Sequence, residues 1–181
     1  EQMTINKYDE SIIPKPFSAY ATTKLMAENF LMNKYEPNSW ILRFAPVYSS
    51  NFLLNIKRRS KIGSCYYRIG NGEAKLSLCN IENIKSAIMG IINDKVPPGI
   101  YNISDSLNYS YNDLLDWQNA SPILRLSELV VKIFYYFGRA VDNNFLKENG
   151  TKLLTDNIYP NNKITSFLDL PYTLEHSELN E

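Results

Sequence analysis

The alternation of apolar and polar positions divides the chain into helices and strands that follow one another in turn. Residues 18 to about 35 contain no glycine or proline and keep their apolar side chains at helical spacing, which predicts a helix closed by Pro37. The mostly apolar run 39–45 predicts a strand buried in a parallel sheet. Residues 82–93 predict an amphipathic helix, and residues 99–104 predict another strand. This order favours an α/β fold with parallel strands.

The patterns in the rest of the chain predict shorter elements. Residues 51–60 predict a helix that ends in basic residues, and residues 76–81 predict a strand that follows a glycine-rich turn. Ser110 is expected to cap a short helix that reaches Trp117, because a serine side chain can accept a hydrogen bond from the first turn. Residues 121–139 predict one long helix. Only three strands are convincing, which is too few for a doubly wound sheet covered on both faces.

The charge balance and the scarcity of histidine argue against several classes of function. The 181 residues carry 19 basic and 19 acidic side chains, so nothing indicates a polyanion-binding surface or a nucleic-acid partner. His176 is the only histidine, and it lies in an acidic tail that we expect to be loose. A metal site such as a zinc centre is therefore not expected, and neither is a histidine general base.

The cysteines and the longest apolar run indicate where in the cell the protein is expected to lie. Cys65 and Cys79 lie apart without CxxC spacing, and unpaired cysteines suit a reducing cytoplasm. The apolar run 123–137 is interrupted by charged residues and is too short to span a bilayer. We therefore expect a cytoplasmic protein with no membrane partner.

Tyr20 and Lys24 form a YxxxK pair within the first predicted helix. The spacing of four residues places both side chains on one face of that helix. A tyrosine is a weak base near neutral pH, with a reference pKa of about 10, and a neighbouring ammonium group favours its phenolate form. Such a pair can take a proton from a sugar hydroxyl while a nicotinamide ring takes the hydride. Because the chain has 13 tyrosines, the YxxxK pattern alone is also compatible with chance. The neighbouring sequence segments are therefore needed to interpret it.

Five segments in a constant order resemble the NAD-dependent epimerase/dehydratase family of extended short-chain dehydrogenases/reductases. The first runs from Asp9 through a proline-rich turn to the YxxxK pair and Glu28, and it is similar to the family's P-x-S-x-Y-x-x-x-K-x-x-x-E. The others are LRFAPVY at 42–48, the asparagine-led NFL at 51–53, LSLCNIENI at 76–84, and YNISD at 101–105 with YNDLL at 111–115.

The resemblance implies roles for individual residues. Tyr20 is the general acid/base, and Lys24 orients the nicotinamide ribose of NAD or NADP and assists the tyrosine. Pro46 and Val47 stand where the family's backbone passes the nicotinamide, although a strand end that turns explains the same residue types. Asn51 is expected to bind the diphosphate or the sugar of the substrate, but as a helix cap it would need no substrate.

Basic residues in the last turn of the second predicted helix and beyond it are further candidates for contact with phosphate. Arg68 is one, and the charge run Lys57, Arg58, Arg59 and Lys61 could help to neutralise a diphosphate. A charge run at the end of a helix is more often simply solvated, and that remains the default interpretation.

Parts of the family's pattern are missing or changed. The glycine-rich turn of the dinucleotide fold is absent, because none of the seven glycines has its spacing. The family's serine or threonine partner of the tyrosine is also absent, since Ser18, Thr22 and Thr23 belong to the helix entry and first turns. Ser49 replaces a glycine, and Asn80 replaces a His or Tyr and is expected to weaken a structural hydrogen bond. The chain is therefore expected to be a C-terminal half that lacks most of the NAD site.

The predicted fold class is α/β: the C-terminal part of a Rossmann-like doubly wound parallel sheet plus a small mixed substrate-binding subdomain. Residues 1–16 are expected to form a loop. Residues 1–107 are assigned to the active-site helix and the last part of the dinucleotide-binding sheet, with interleaved substrate segments. Residues 108–181 are assigned to a mostly helical substrate-binding region.

The implied function is NAD(P)-dependent epimerisation or keto-reduction of a nucleotide sugar, a precursor of surface polysaccharide. The substrate is expected to be UDP-linked, and a homodimer is compatible with the full-length protein. Epimerase, 4-ketoreductase and dehydratase share every visible motif, with a slight preference for the first two. Two alternatives stay open. One is a truncated, inactive remnant that keeps only nucleotide-sugar binding or a structural role, and the other is an unrelated α/β interaction module, which the five ordered motifs disfavour.

Overall fold

The computed structural model describes residues 6–16, 18–36, 38–143, 146, 150 and 152–177. Its helices are α1 (Ala19–Tyr35), α2 (Leu54–Ser60), α3 (Ile81–Ile92), α4 (Tyr111–Trp117), α5 (Glu128–Ala140) and α6 (Asn162–Thr165), followed by a 3-10 helix at Leu174–His176. Its strands are β1 (Asn6–Lys7), β2 (Trp40–Phe44), β3 (Val47–Tyr48), β4 (Lys61–Ile62), β5 (Cys65–Ile69), β6 (Lys75–Ser77), β7 (Cys79–Asn80), β8 (Gly99–Ile103), β9 (Asn108–Ser110), β10 (Ile123–Leu126) and β11 (Asn157–Ile158).

Parallel strand pairing organises the centre of the molecule. β2 pairs with β8 in parallel from Trp40↔Gly99 to Phe44↔Ile103, and β3, the next strand along the chain, pairs in parallel with β7. A four-stranded sheet has the order β1-β11-β6-β9, and a three-stranded sheet has the order β10-β5-β4. The predicted α/β class with parallel strands is therefore confirmed, and the strands predicted at 39–45 and 99–104 are β2 and β8.

Hydrophobic clusters hold these elements together. The first packs α3 against β8 through Ala87, Tyr101 and Ile103, which are at most 1% exposed. The second joins α2 to α4, with Ile56 and Leu114 fully buried. A third packs α5 on β5. Full burial of one such aliphatic side chain stabilises the fold by about 1.5–3 kcal/mol, so the clusters fix how α2, α3 and α4 sit on the strands.

Serine side chains cap the starts of α1 and α4. Ser18 caps α1, because its Oγ accepts a hydrogen bond from Ala21 N at 3.2 Å. α1 ends at Tyr35, which confirms the helix predicted there, whereas the predicted closure by Pro37 lies outside the described residues. Ser110 caps α4 as predicted, in a capping box with the third helical residue.

α1 is attached to the strands by polar contacts, since none of its residues is buried. Arg43 on β2 donates to both carboxylate oxygens of Glu28, with 2.7 Å between Nη2 and Oε2. Met26 and Phe30 on the same helix are 66% and 57% exposed. The described residues therefore leave part of the apolar surface of α1, at Met26 and Phe30, exposed.

One predicted helix is in fact a strand followed by a helix. β10 pairs in parallel with β5 along its whole length. Ser127 then caps α5, because its Oγ accepts a hydrogen bond from Leu129 N at 3.2 Å. The prediction of one helix over 121–139 is wrong because the apolar start of this segment finds a partner strand, β5, that local spacing did not indicate.

Other predicted boundaries shift because of local hydrogen bonds. α2 begins at Leu54, three residues later than predicted, since Ser49 and Phe52 exchange two backbone hydrogen bonds of 3.1 Å in the preceding turn. The strand predicted at 76–81 is divided between β6 and β7. The predicted loop 1–16 contains β1, which pairs in parallel with β11, a strand that lies far along the chain.

Within the described parts of the chain, no helix is long and apolar enough to cross a membrane. The division of the chain between residues 1–107 and 108–181 stays a prediction. β11, from the later part, lies between β1 and β6 from the earlier part in one sheet.

Candidate active site

Tyr20 and Lys24 lie together at the start of α1. Tyr20 is 74% exposed, and the Lys24 ammonium Nζ lies 5.6 Å from the centroid of the tyrosine ring. Helical spacing places both side chains on one face, as the sequence predicts. A phenol next to an ammonium group and open to solvent is an arrangement that can exchange a proton with a ligand.

The hydroxyl groups around this pair serve the helix itself. Thr22 Oγ1 donates to Ser18 O at 3.0 Å, and Thr23 Oγ1 donates to Ala19 O at 2.9 Å. Ser18 Oγ is the cap of α1. These bonds agree with the interpretation of the three residues as helix entry rather than as partners of Tyr20.

Pro46 and Val47 lie just beyond the carboxyl end of β2, the edge at which α/β sheets bind ligands. Pro46 O accepts a hydrogen bond from Cys79 N at 3.1 Å. Val47 O accepts one from Asn55 Nδ2 at 2.8 Å. Both carbonyl groups therefore hold β3 against β7 and α2, and a ligand here would meet the side chains of Pro46 and Val47 rather than these oxygens.

The structure places Asn51 before α2 rather than on it. Asn51 is exposed and lies in the turn between β3 and α2, and the N-cap position belongs to Leu53. The alternative interpretation of Asn51 as a helix cap is therefore wrong, because the turn at 49–52 delays the helix, and its expected contact with the substrate stays a prediction. Asn55 is the asparagine of this segment that positions a neighbour, through its bond to Val47.

Arg68 is half-buried on β5. Its Nη1 donates to Asn112 Oδ1 at 3.1 Å, at the start of α4. Its Nε is buried and has no hydrogen-bond partner in the part of the chain that the structure describes. Arg68 thus joins β5 to α4, and it keeps one donor unused.

Sequence reasoning missed a buried cluster around Asp105. Tyr48 and Tyr109 donate their hydroxyl groups to Asp105 Oδ2 at 2.8 and 2.9 Å. Asn80 N and Asn83 Nδ2 donate to Oδ1 at 2.7 and 2.9 Å. These four donors join β3, β7, α3 and β9 around one carboxylate. The YNISD string, whose last residue is Asp105, could have drawn attention to this carboxylate. It does not indicate which residues donate hydrogen bonds to Asp105.

Burial governs the protonation of this cluster. It raises the pKa of Asp105 above its ordinary value, and the four donors oppose that shift by favouring the carboxylate. It also raises the pKa of Tyr48 and of Tyr109 far above the ordinary tyrosine value, and the nearby Asp105 charge adds to both shifts. These two phenols are therefore hydrogen-bond donors and not bases.

Asn80, the residue that stands where the resemblance leads one to expect His or Tyr, makes several hydrogen bonds. Besides the bond of its backbone to Asp105, its Oδ1 accepts from Glu82 N at 3.0 Å and caps α3. Its Nδ2 donates to Ser177 Oγ at 3.0 Å. Asparagine at this position thus caps a helix and binds Ser177, and the expected weakening of a structural hydrogen bond stays a prediction.

The segment around His176 is ordered and not loose as expected. It forms a 3-10 helix, and His176 Nδ1 accepts a hydrogen bond from Thr173 N at 3.2 Å. Within the described ranges, no group of His, Cys, Asp and Glu could hold a metal ion.

No protein-family model matches the sequence, and no curated protein matches it. Solved structures are similar to the chain, among them three enzymes. UDP-glucuronic acid 4-epimerase from Bacillus cereus, in complex with NAD, is 14% identical with a TM-score of 0.64, over 98% of this chain and 53% of that one. ADP-L-glycero-D-manno-heptose-6-epimerase from Helicobacter pylori is 16% identical with a TM-score of 0.64, over 96% and 53%. dTDP-4-dehydrorhamnose reductase from Bacillus anthracis, in complex with NADP, is 18% identical with a TM-score of 0.59, over 94% and 56%.

The chain spans about half the length of each of these enzymes. At such identities the likeness shows the fold, and it covers nearly all of this chain. The chain therefore has the fold of one half of nucleotide-sugar epimerases and reductases. The predicted resemblance and the predicted Rossmann-like fold class are confirmed at this level.

Proposed function

We propose that this chain carries the acid/base pair and the substrate-binding residues of an NAD(P)-dependent enzyme that epimerises or reduces a nucleotide sugar. The observation that carries the proposal is the exposed phenol of Tyr20, with the Lys24 ammonium group 5.6 Å from its ring centroid, at the start of a capped helix. The fold shared with nucleotide-sugar epimerases and reductases supports it.

In the proposed mechanism Tyr20 moves the proton and Lys24 supports it. The phenol oxygen takes the proton of a sugar hydroxyl during oxidation and returns a proton during reduction. The Lys24 ammonium group stabilises the negative charge that develops on that oxygen. A bound nicotinamide supplies the hydride chemistry at the same sugar carbon.

The residues present fit one end of a dinucleotide. The open face of α1 leaves room beside Tyr20 and Lys24 for the nicotinamide ribose, and the side chains of Pro46 and Val47 would line the nicotinamide. The glycine-rich turn that binds the pyrophosphate is not among the 181 residues. An enzyme that uses this chain needs that turn from other sequence, and the choice between NAD and NADP depends on it.

On the substrate side we assign Asn51 and Arg68 to contacts with the nucleotide diphosphate, which we propose to be UDP-linked. Arg68 supports this role with its unused buried Nε donor. The cytoplasm, with its reduced thiols, is the proposed location, and a homodimer is the proposed assembly of the complete enzyme.

The proposal is tested by hydride exchange between NAD(P) and UDP-sugars, in a protein that joins this chain to a glycine-rich dinucleotide-binding segment. Tyr20→Phe should lower turnover at least about a hundredfold, because general acid/base catalysis contributes on that scale. Tyr35→Phe is the matched control, since Tyr35 is also exposed on α1 at 48%. Full turnover in Tyr20→Phe would refute the assignment of the base.

A catalytically inactive remnant is the second candidate. The seven glycines of the 181 residues do not form the glycine-rich turn by themselves. Calorimetric titration of the 181-residue chain with NAD and with UDP-sugars separates the two. Binding of a UDP-sugar without any binding of NAD, together with no turnover in the joined protein, would favour the remnant.

A further inference from the structure

One narrow side of α1 is half-buried, and the rest of the helix is exposed. The half-buried residues recur at helical spacing and are Ala21, Leu25, Glu28 and Met32. Three of them are apolar, and apolar contacts have no preferred direction, so they do not stop a helix from sliding along a strand. Glu28 is the charged member of this stripe, and it lies in the middle part of α1.

The contact of Glu28 with Arg43 on β2 is directional. Arg43 Nη2 donates to Glu28 Oε2 at 2.7 Å, and Arg43 Nε donates to the two carboxylate oxygens at 3.2 and 3.3 Å. The two side chains are 20% and 21% exposed, so water and salt screen this pair less than a surface pair. A planar guanidinium group that binds through two nitrogens fixes orientation as well as distance. This ion pair can therefore hold α1 at one position along β2.

Two other ion pairs of the chain show what is particular to this one. Lys85 pairs with Glu82 within α3, and Lys132 pairs with Glu128 within α5. Their side chains are 41–62% exposed, and exposed pairs of this kind contribute little to stability. A pair within one helix cannot fix that helix against a neighbour, whereas the Arg43 contact joins a strand to a helix.

The Arg43 contact determines which part of the chain lies beside Tyr20. The connection between α1 and β2 is short, so the two elements run in opposite directions when Glu28 lies opposite Arg43. Tyr20 is eight residues before Glu28, which is about 12 Å along an α-helix. Pro46 and Val47 are three and four residues after Arg43, which is about 10–13 Å of extended chain. This register, meaning the set of residues that lie opposite one another, thus brings Tyr20 to about the level of Pro46 and Val47.

We propose that Arg43 is a positioning residue of the active site, which acts through Glu28 to set the register of α1 against β2. The inference rests on the proposed function, because it concerns the placement of the proposed catalytic pair Tyr20 and Lys24. These two residues need no help to lie together, since both are on α1. Arg43 instead sets the distance between the pair and the carboxyl end of β2.

A small change of this register is enough to change the geometry at Tyr20. Displacement of α1 by one residue moves its side chains by about 1.5 Å along the helix axis. A misplacement of about 1 Å between reacting groups can lower a rate about a hundredfold. Without Arg43, α1 keeps only the three apolar members of its half-buried stripe, and these do not prevent such a displacement.

The first test measures turnover of a nucleotide sugar by the joined protein. Arg43→Gln and Glu28→Gln should each lower kcat about tenfold to a hundredfold and leave KM for the nucleotide sugar within about threefold. KM is spared because the proposed substrate contacts Asn51 and Arg68 lie outside α1. Lys85→Gln is the matched control, since it breaks an ion pair within α3 and should leave kcat unchanged.

The conservative variant Arg43→Lys separates orientation from charge. Lysine keeps the positive charge without the planar fork, so it should recover only part of the kcat that Arg43→Gln loses. Full kcat in Arg43→Gln would overturn the inference. Full recovery of kcat in Arg43→Lys would also overturn it, because the charge alone would then be sufficient.

Hydrogen exchange of the 181-residue chain tests the same contact without any turnover. Arg43→Gln should speed exchange of the α1 amides about fivefold to thirtyfold relative to those of α3, because α1 loses its directional attachment. Unchanged exchange in α1 would show that Arg43 does not hold the helix. Full kcat in Arg43→Gln with loss of turnover in Tyr20→Phe refutes this inference alone. Full turnover in Tyr20→Phe refutes the proposed function, and the exchange rates still decide whether Arg43 sets the register.

Discussion

Tyr20, at the surface, and the pair Tyr48 and Tyr109, in the interior, have opposite surroundings. At the start of α1, Tyr20 is 74% exposed and its charged neighbour is the cation Lys24. On β3 and β9, Tyr48 and Tyr109 are 0% and 6% exposed, and both donate their hydroxyl groups to the anion Asp105. The phenol group is thus next to a positive charge at the surface, in Tyr20, and next to a negative charge in the interior, in Tyr48 and Tyr109.

These surroundings determine whether each phenol can release its proton and contact a ligand. A buried phenol next to a carboxylate strongly resists the loss of its proton, so Tyr48 and Tyr109 hold the fold together. An exposed phenol next to an ammonium group contributes little to packing and stays available to a ligand. Substitutions should therefore change stability at one group and turnover at the other.

The largest effect on stability is expected at the centre of the buried group. Asp105→Ala leaves four buried donors without their acceptor and should lower the free energy of unfolding by about 3 kcal/mol. Urea denaturation of the chain measures this. Asp116→Ala is the control, because Asp116 is exposed on α4, and it should change stability by less than about 0.5 kcal/mol. Equal effects of the two variants would show that Asp105 does not organise the core.

Substitution of Lys24, beside Tyr20, is expected to lower turnover strongly without changing the free energy of unfolding. Lys24→Ala should lower hydride exchange by about tenfold to a hundredfold in the joined protein, because the phenol loses its stabilising cation. Lys34→Ala, on the last turn of the same helix, should leave the rate unchanged. The proposed roles would be contradicted if Lys24→Ala reduced the free energy of unfolding and kept full turnover.

Removal of one hydroxyl should distinguish the two groups directly. Tyr48→Phe should lower the free energy of unfolding by about 1–2 kcal/mol, because it removes a buried hydrogen bond to a charged group. Tyr20→Phe should change it by less than about 0.5 kcal/mol, since the Tyr20 side chain is exposed. Denaturation curves recorded in parallel make this comparison, and a reversed order would contradict it.

The smallest effect is on the pH dependence of stability. Because burial raises the pKa of Asp105, its contribution to stability is fully present below the ordinary carboxyl pKa of about 4 and declines as pH rises through the folded value. Asp105→Asn carries no titrating group, so the decline attributable to this residue should disappear. Unfolding free energies measured from about pH 3 to about pH 7 give the comparison. Identical slopes in the variant and the wild-type chain would show that the pKa of Asp105 is not raised.

Sequence reasoning succeeded where short stretches of chain decide the outcome. Ser110 caps α4 as predicted, because a serine before a helix can accept a hydrogen bond from its first turn. The pairing of Tyr20 and Lys24 follows from the spacing of an α-helix. The mostly apolar run 39–45 forms β2 because such a run favours a buried parallel strand.

The sequence predictions were wrong or incomplete where a segment distant in the chain determines the local structure or the burial of a residue. The start of segment 121–139 is a strand because β5 lies beside it. Arg59 is half-buried, unlike the exposed Arg58, because α4 and β5 enclose one face of α2.

Local signals in the sequence were thus enough for the cap of α4, the parallel α/β class and the placement of Tyr20 and Lys24 on one helix face, because hydrogen bonds within a few residues and side-chain periodicity do not depend on the rest of the molecule. The Asp105 cluster, the strand β10 and the enclosure of Arg59 needed the folded chain. Each of them depends on burial and on donors or strands brought together from distant segments, and neither quantity is a property of a short stretch of sequence.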